Sequence, residues 1–215
     1  AQEKIEEVII TAQKRQERLQ EVPLAVTAIS GAQLETRGIE GSKDLSSLAP
    51  NLMVTYGNSG NTTMSIIAIR GTGSGSPSIF LDTAVGTYVD GVYTGKNQGG
   101  LFDIVDLERV EILRGPQGTL FGRNTLAGAI NFVTKKPSGV FGGTIGVDVG
   151  NHGALVQRFS VDLPSMGPLK LSVAARDENR DGYMKNHNGK DNGQVDKQSH
   201  RLAATLDITR DLQAS

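Results

Sequence analysis

Residues Leu107–Pro137 read LERVEILRGPQGTLFGRNTLAGAINFVTKKP, and no other part of the sequence is as informative. Two runs rich in β-branched and other apolar residues, Arg109–Leu113 and Ala129–Thr134, predict β-strands. A Gly-Pro-Gln-Gly sequence between them predicts a turn, and a short segment able to form a helix follows it. Lys-Lys-Pro at positions 135–137 ends the second strand, because proline has no N–H to donate to a strand ladder.

The overall composition excludes some classes of partner and of site. The chain has 215 residues, of which 37% are hydrophobic and 21% charged, and its formal net charge is −1. This balance gives no support for nucleic acid as a partner. Because the chain has no cysteine, we expect neither a disulfide framework nor a thiolate metal site, and no cofactor is predicted.

The region before Leu107 reads as a small α+β unit. Leu24–Ile29 predicts a strand, and Ser30 with Gln33 fits a capping box at the start of a helix that Gly38 ends. A second short helix begins near Ser42 and ends at Pro50. Further strands are predicted at Val54–Tyr56, Met64–Ile69 and Val85–Val89, a hairpin turn at Asp90-Gly91, and loops at Gly57–Thr63 and Gly71–Ser78.

The last third of the chain alternates apolar and polar residues with a period of two. The runs are Thr144–Val149, Leu155–Leu163, Leu169–Arg176 and Arg201–Thr209. Such alternation fits either a soluble antiparallel sheet or the strands of an outer-membrane barrel. The connections favour the barrel, since a short turn at Pro164–Pro168 contrasts with a long polar loop predicted at Asp177–Ser199. Four strands cannot close a barrel, so we expect this chain to be an N-terminal fragment.

Four motifs in a fixed order resemble one family. IEEVIITAQKR at Ile5–Arg15, IRG at Ile69–Gly71, YVDGVY at Tyr88–Tyr93 and the stretch Leu107–Pro137 resemble the plug of TonB-dependent outer-membrane receptors. The resemblance covers about residues 5 to 137. It implies an α+β plug domain followed by antiparallel β-strands of an incomplete transmembrane β-barrel. The implied divisions are a TonB box and tether at 1–20, the plug at 21–137, and the first four barrel strands at 138–215.

The N-terminal segment resembles the TonB box, which pairs as an extended strand with the energising protein TonB. The residues that carry this resemblance, and that we expect to bind TonB, are Glu6, Glu7, Val8, Ile9, Ile10, Thr11 and Ala12. Valine, isoleucine and threonine favour the extended backbone that strand addition needs. The alternative interpretation is an ordinary first strand of the plug sheet.

Charged residues near strand ends form a second predicted site. The resemblance implies that Arg70, Glu108, Arg109 and Arg114 pair with charges on the barrel wall and hold the plug in place; we call these four residues the plug lock. We expect Arg123 to be a solvated surface charge.

The resemblance implies a receptor in the outer membrane of a Gram-negative bacterium that takes up a scarce external ligand with energy from TonB. Its partners would be TonB with the inner-membrane energising complex, the ligand, and outer-membrane lipid. Iron–siderophore complexes are the favoured ligand class, with cobalamin, haem, saccharides and aromatic substrates left open. The alternatives are a signal-relaying receptor, which usually has an extra domain before the TonB box, and a soluble periplasmic binding module. We predict no catalytic or metal site; the calcium-like run from Asp177 has Asn188 where a bidentate glutamate is needed.

Overall fold

The structure is a computed structural model, and its chain divides into two compact units. It describes residues 9–11, 15, 17–39, 42–56, 65–73, 82–95, 105–187, 189, 191–209 and 212–214. The first unit is Ala1–Phe102 with Leu107–Thr134, and the second is Asp103–Asp106 with Lys135–Ser215. The division falls three residues before Pro137. Several predicted features lie outside the described residues, namely Glu6, Glu7, Val8 and Ala12, the loop Gly57–Thr63 and most of the loop Gly71–Ser78.

The first unit contains short strands and two short α-helices. Its described elements are β1 (Ile9–Ile10), β2 (Glu17–Arg18), β3 (Val26–Ser30), α1 (Gly31–Thr36), β4 (Leu52–Tyr56), β5 (Ser65–Ile69), β6 (Thr72–Gly73), β7 (Val85–Val89), β8 (Val92–Tyr93), β9 (Leu107–Arg114), α2 (Gly118–Phe121) and β10 (Gly128–Thr134). Two 3₁₀ turns, Leu19–Glu21 and Ser42–Ser47, complete them. The second turn replaces the short helix predicted from Ser42 to Pro50.

A five-stranded mixed sheet forms the centre of the first unit. Its strand order is β3-β9-β10-β7-β8, with β10 and β7 parallel and the other neighbours antiparallel. Residues Val110, Glu111, Ile112 and Leu113 of β9 are all buried, so both faces of the sheet are covered. A separate three-stranded antiparallel sheet has the order β4-β5-β6, and β1 pairs with β2 alone.

Local sequence signals determine where these elements begin and turn. Ser30 accepts from the backbone of Gln33, whose side chain accepts from the backbone of Ser30, which confirms the predicted capping box. Gly38 has a φ of 64°, as predicted for a left-handed helix end. Asp90 and Gly91, with φ of 49° and 79°, form the predicted hairpin turn between β7 and β8. These three predictions are confirmed.

The second unit is an antiparallel sheet whose described strands follow chain order. They are β11 (Gly142–Val149), β12 (Leu155–Asp162), β13 (Leu169–Arg180), β14 (Val195–Thr209) and β15 (Leu212–Ala214). The short turn predicted at Pro164–Pro168 is confirmed, since it joins β12 to β13. The predicted long loop Asp177–Ser199 is wrong in its bounds. Polar residues pair along the ladder from Asp177↔Gln198 to Asn179↔Asp196, and Arg180 pairs with Val195, so both strands continue beyond the apolar alternation.

The two faces of this second sheet have opposite character. One face exposes large apolar side chains, including Ile145 at 84%, Val149 at 81% and Leu202 at 74% exposure. The opposite face carries ion pairs between neighbouring strands, among them Arg158 with Asp148, and Lys170 with Asp207 at 2.8 Å. An apolar outer face and a polar inner face are typical of outer-membrane barrel strands, whereas a soluble sheet buries its apolar face. Among the residues that the structure describes, no helix has both the length and the apolar character needed to cross a bilayer.

Candidate functional site

A buried carboxylate lies in the middle of the central sheet of the first unit. Glu111 on β9 has an exposed fraction of 0%, and its cross-strand partner on β10 is the buried Asn131. Burying a charged group is costly unless it is hydrogen-bonded and paired. The surroundings of Glu111 must therefore supply donors.

Two donors come from the sheet itself. Arg109 Nε lies 2.8 Å from Glu111 Oε1, and Asn131 Nδ2 lies 3.3 Å from Glu111 Oε2. The Asn131 amide is oriented by the hairpin turn, because its Oδ1 accepts from the backbone N–H of Gly91 at 3.1 Å. Each carboxylate oxygen thus has one donor that belongs to the folded sheet.

The remaining donors come from the N-terminal segment. The Thr11 N–H donates to Glu111 Oε1 at 2.7 Å, and the Thr11 hydroxyl lies 3.0 Å from both carboxylate oxygens. The same hydroxyl accepts from Asn131 Nδ2 at 3.4 Å. We call Thr11, Arg109, Glu111 and Asn131 the Glu111 cluster.

The residue before Thr11 fills an apolar pocket on the same sheet face. Ile10 has an exposed fraction of 0% and packs in a cluster of buried residues that includes Tyr88, Leu113, Phe121 and Ala129. The Tyr88 hydroxyl donates to the Phe121 carbonyl at 2.6 Å, and the two rings meet edge to face at 5.0 Å. Burial, with a smaller contribution from Tyr93, raises the pKa of Tyr88, so the phenol stays protonated and remains a donor. The pocket wall is therefore fixed by both packing and a hydrogen bond.

Ile9 and Ile10 form a two-residue strand whose partner is not the central sheet. Ile9 pairs with Arg18 and Ile10 with Glu17, and the Ile9 side chain is 49% exposed. The structure thus describes three of the seven residues predicted to bind TonB. It places Ile9 and Ile10 in a short strand and Thr11 directly after it, all in the first unit. We call Ile9–Thr11 the docked segment.

The contacts of the docked segment give it a modest free energy of docking. Full burial of an isoleucine side chain is worth roughly 1.5–3 kcal/mol. A hydrogen bond to a charged group contributes about 1.5–3 kcal/mol. Ordering the backbone costs about 1–2 kcal/mol per residue, which offsets much of this gain. The gains and the ordering cost are of similar size, so the net stabilisation of the docked segment is modest.

Two residues of the predicted plug lock lie next to Gly115, Arg70 in space and Arg114 in sequence. Arg70 occupies the turn between β5 and β6, and a Cβ built on Gly115 would lie 3.7 Å from its Nη1. Arg114 is the last residue of β9 and directly precedes Gly115; its Nε is buried and has no hydrogen-bond partner among the described residues. Within that same part of the chain, no ion pair joins Arg70 or Arg114 to an acidic side chain.

The other two residues of the predicted lock contact each other. The guanidinium of Arg109 pairs with Glu108 and with Glu111 in the first unit. Their part in holding a plug stays a prediction. Arg123 is exposed, as expected for a surface charge.

Sequence reasoning missed the Glu111 cluster as a unit. Thr11 and Glu111 are separated by 100 positions, so no local pattern could join them. A signal for half of the cluster was present: Glu111 interrupts an apolar run in β9, and Asn131 interrupts a second apolar run in β10. No group of three or more histidine, aspartate or glutamate side chains among the described residues is arranged to hold a metal ion.

Comparisons with known proteins agree on one family. Residues 18–129 match the family model of the TonB-dependent receptor plug domain. The pesticin receptor of Yersinia pestis is 33% identical over 181 residues, which are 83% of this chain and 26% of the relative. The iron-regulated outer membrane virulence protein of Vibrio cholerae is 33% identical over 144 residues, covering 65% of this chain and 22% of the relative.

A solved structure supports the same assignment. The ferric yersiniabactin uptake receptor FyuA of Yersinia pestis has 31% sequence identity and a TM-score of 0.76, covering 85% of this chain and 29% of that one. The chain thus spans about a quarter of the length of the curated relatives that it matches. Because the family model covers more than half of its residues, this chain belongs to the TonB-dependent receptor plug domain family.

Proposed function

We propose that this chain is part of an outer-membrane receptor of a Gram-negative bacterium that imports an external ligand with energy supplied by TonB. The first unit is the plug that closes the pore, and the second supplies strands of the surrounding barrel. The proposed role is transport and not catalysis. The docked segment is the observation that carries this proposal.

The geometry of the docked segment suits exchange between two partners. Ile9 and Ile10 already have an extended backbone, and their strand partner is only two residues long. Strand addition takes most of its affinity from main-chain hydrogen bonds, each worth roughly 0.5–1.5 kcal/mol. An edge strand of TonB that pairs with residues 6–12 forms more such bonds than β2 offers. The segment can therefore move from the plug to TonB at a small net cost.

The surface of the second unit supports the location. Apolar side chains on one face of β11 and β14 are exposed, including Ile145, Val147 and Ile208. A patch of this kind marks contact with a partner or a membrane. Lipid on that face and a hydrated lumen on the charged face account for both sides of the sheet.

The plug lock belongs to the same proposal. Arg70 is exposed near Gly115 and Arg114 is partly buried directly before it, and within the described residues neither has an acidic partner, so each cation is open to a carboxylate from elsewhere in the receptor. We assign those carboxylates to barrel strands of the full-length receptor.

The relatives suggest the ligand class. FyuA takes up ferric yersiniabactin, as its name states, and a second relative is iron-regulated. We propose a ferric siderophore as the ligand, and its identity depends on parts of the receptor beyond this chain.

Replacing Ile9 with proline tests the proposal. Proline removes a backbone donor and fixes φ near −65°, so the segment can no longer form a regular strand pair. Uptake of the ferric siderophore should fall to the level of a strain without TonB, while binding at the cell surface stays unchanged. The matched control Ile9→Ala keeps the N–H and should retain uptake. Full uptake by the proline variant would remove the docked segment from the mechanism.

A further inference from the structure

We propose that Glu111 is a positioning residue that sets how often the docked segment leaves the plug. In this role the carboxylate is the hydrogen-bond acceptor for Thr11. The strength of these hydrogen bonds determines the fraction of molecules in which Ile9–Thr11 is available to a partner. The inference rests on the proposed function for its biological consequence, but the docking equilibrium itself can be measured without TonB.

The contacts of Thr11 are concentrated on this one carboxylate. Both the backbone N–H and the hydroxyl of Thr11 donate to Glu111, at 2.7 and 3.0 Å. Hydrogen bonds to a charged acceptor are roughly twice as strong as neutral ones. Because Glu111 has no exposed surface, water does not compete for its oxygens while the segment is docked.

The carboxylate is held ready whether or not the segment is present. Arg109 occupies one oxygen and Asn131 the other, and neither donor belongs to the N-terminal segment. Release of Thr11 therefore leaves each oxygen with a partner, and water can replace the lost donors. This arrangement makes docking reversible, because neither state leaves an unpaired buried charge.

A neutral amide cannot substitute for the carboxylate. Both oxygens of Glu111 accept hydrogen bonds, one from Arg109 and Thr11 and the other from Asn131. A glutamine presents an NH₂ group on one side, so in either orientation a donor faces a donor. Glu111→Gln should weaken docking although it preserves the size of the side chain.

Glu35 supplies a control in the same unit. It is exposed on α1 and belongs neither to the Glu111 cluster nor to the plug lock. Glu35→Gln removes the same charge and leaves the docking of Thr11 intact.

Hydrogen exchange of the full-length receptor, purified without ligand or TonB, tests the inference. We expect the amides of Ile9–Thr11 to exchange about tenfold faster in Glu111→Gln than in the wild type, which equals ~1.4 kcal/mol. Exchange in Glu35→Gln should match the wild type. Amides of β9 and β10 should stay protected in both variants, which separates release of the segment from loss of the fold.

If Glu111→Gln does not fold, a second pair of variants, at Thr11, tests the inference. Thr11→Val removes the hydroxyl at constant shape and should speed exchange of the segment several-fold, whereas Thr11→Ser should not. Wild-type exchange in both Glu111→Gln and Thr11→Val would overturn the inference. Faster exchange without any increase in TonB binding would instead count against the proposed function and leave the docking role of Glu111 standing.

Discussion

Gly128 shows how closely the residues of the plug sheet approach one another. It begins β10, and a Cβ placed there would overlap the carbonyl oxygen of Leu113 on β9. Backbone atoms of a central strand cannot give way as the end of a flexible side chain can. Gly128→Ala should therefore destabilise the plug by about 1–3 kcal/mol, the usual range for overpacking.

Urea unfolding of the plug unit, followed by circular dichroism, measures this effect. Gly118→Ala is the control, because a Cβ at Gly118 meets nothing within 4 Å and the residue starts α2. That variant should be unchanged or more stable by up to about 1 kcal/mol. Equal loss of stability in the two variants would show that the contact with Leu113 is not the cause.

At the scale of elements, the sequence predicted the caps and turns that depend only on residues close together in the chain. The capping box at Ser30 and the hairpin at Asp90-Gly91 need only residues within four positions of one another. Asp90 also makes a long-range contact that no local sequence pattern reveals. Its carboxylate accepts from the backbone and hydroxyl of Thr134 at 2.8 and 2.7 Å, which ties the hairpin to the end of β10.

Strand length was less predictable than strand position. The alternation of apolar residues located β13 and β14 but not the end of β13 at Arg180 or the start of β14 at Val195. Apart from Val195, the residues at those strand ends are polar, so hydrophobic alternation carries no signal there. Similarly, the Glu111 cluster joins β9 and β10 to a segment about 100 positions away, which only the folded chain brings together.

At the scale of the whole molecule, the sheets of the two units differ in how much apolar surface they expose. The first covers both faces of its central sheet, while the second exposes an apolar face and pairs charges on the other. This contrast agrees with the proposal that only the second unit faces lipid. In the same proposal, the plug lock determines how firmly the plug is held.

Loss of the two lock cations that have no acidic partner among the described residues should loosen the plug in the full-length receptor. Arg70→Gln combined with Arg114→Gln leaves the proposed barrel carboxylates unpaired, at a cost of about 0.2–1 kcal/mol for the exposed Arg70 and more for the partly buried Arg114. Cells with this receptor should become more sensitive to a large hydrophilic antibiotic that the outer membrane normally excludes. Arg123→Gln, which removes an exposed cation from the same unit, should not change sensitivity. Equal sensitivity of the double variant and the wild type would contradict a holding role.

The most direct test of the account is disulfide cross-linking between the receptor and TonB in living cells. The chain contains no cysteine, so a single cysteine at position 9 reports on that position within this part of the receptor. We predict that Ile9→Cys cross-links to a cysteine on the edge strand of TonB, and more strongly when the transported ligand is added. Met53→Cys, an exposed position on β4, should not cross-link. Absence of any Ile9→Cys product in cells that still import the ligand through TonB would contradict the account.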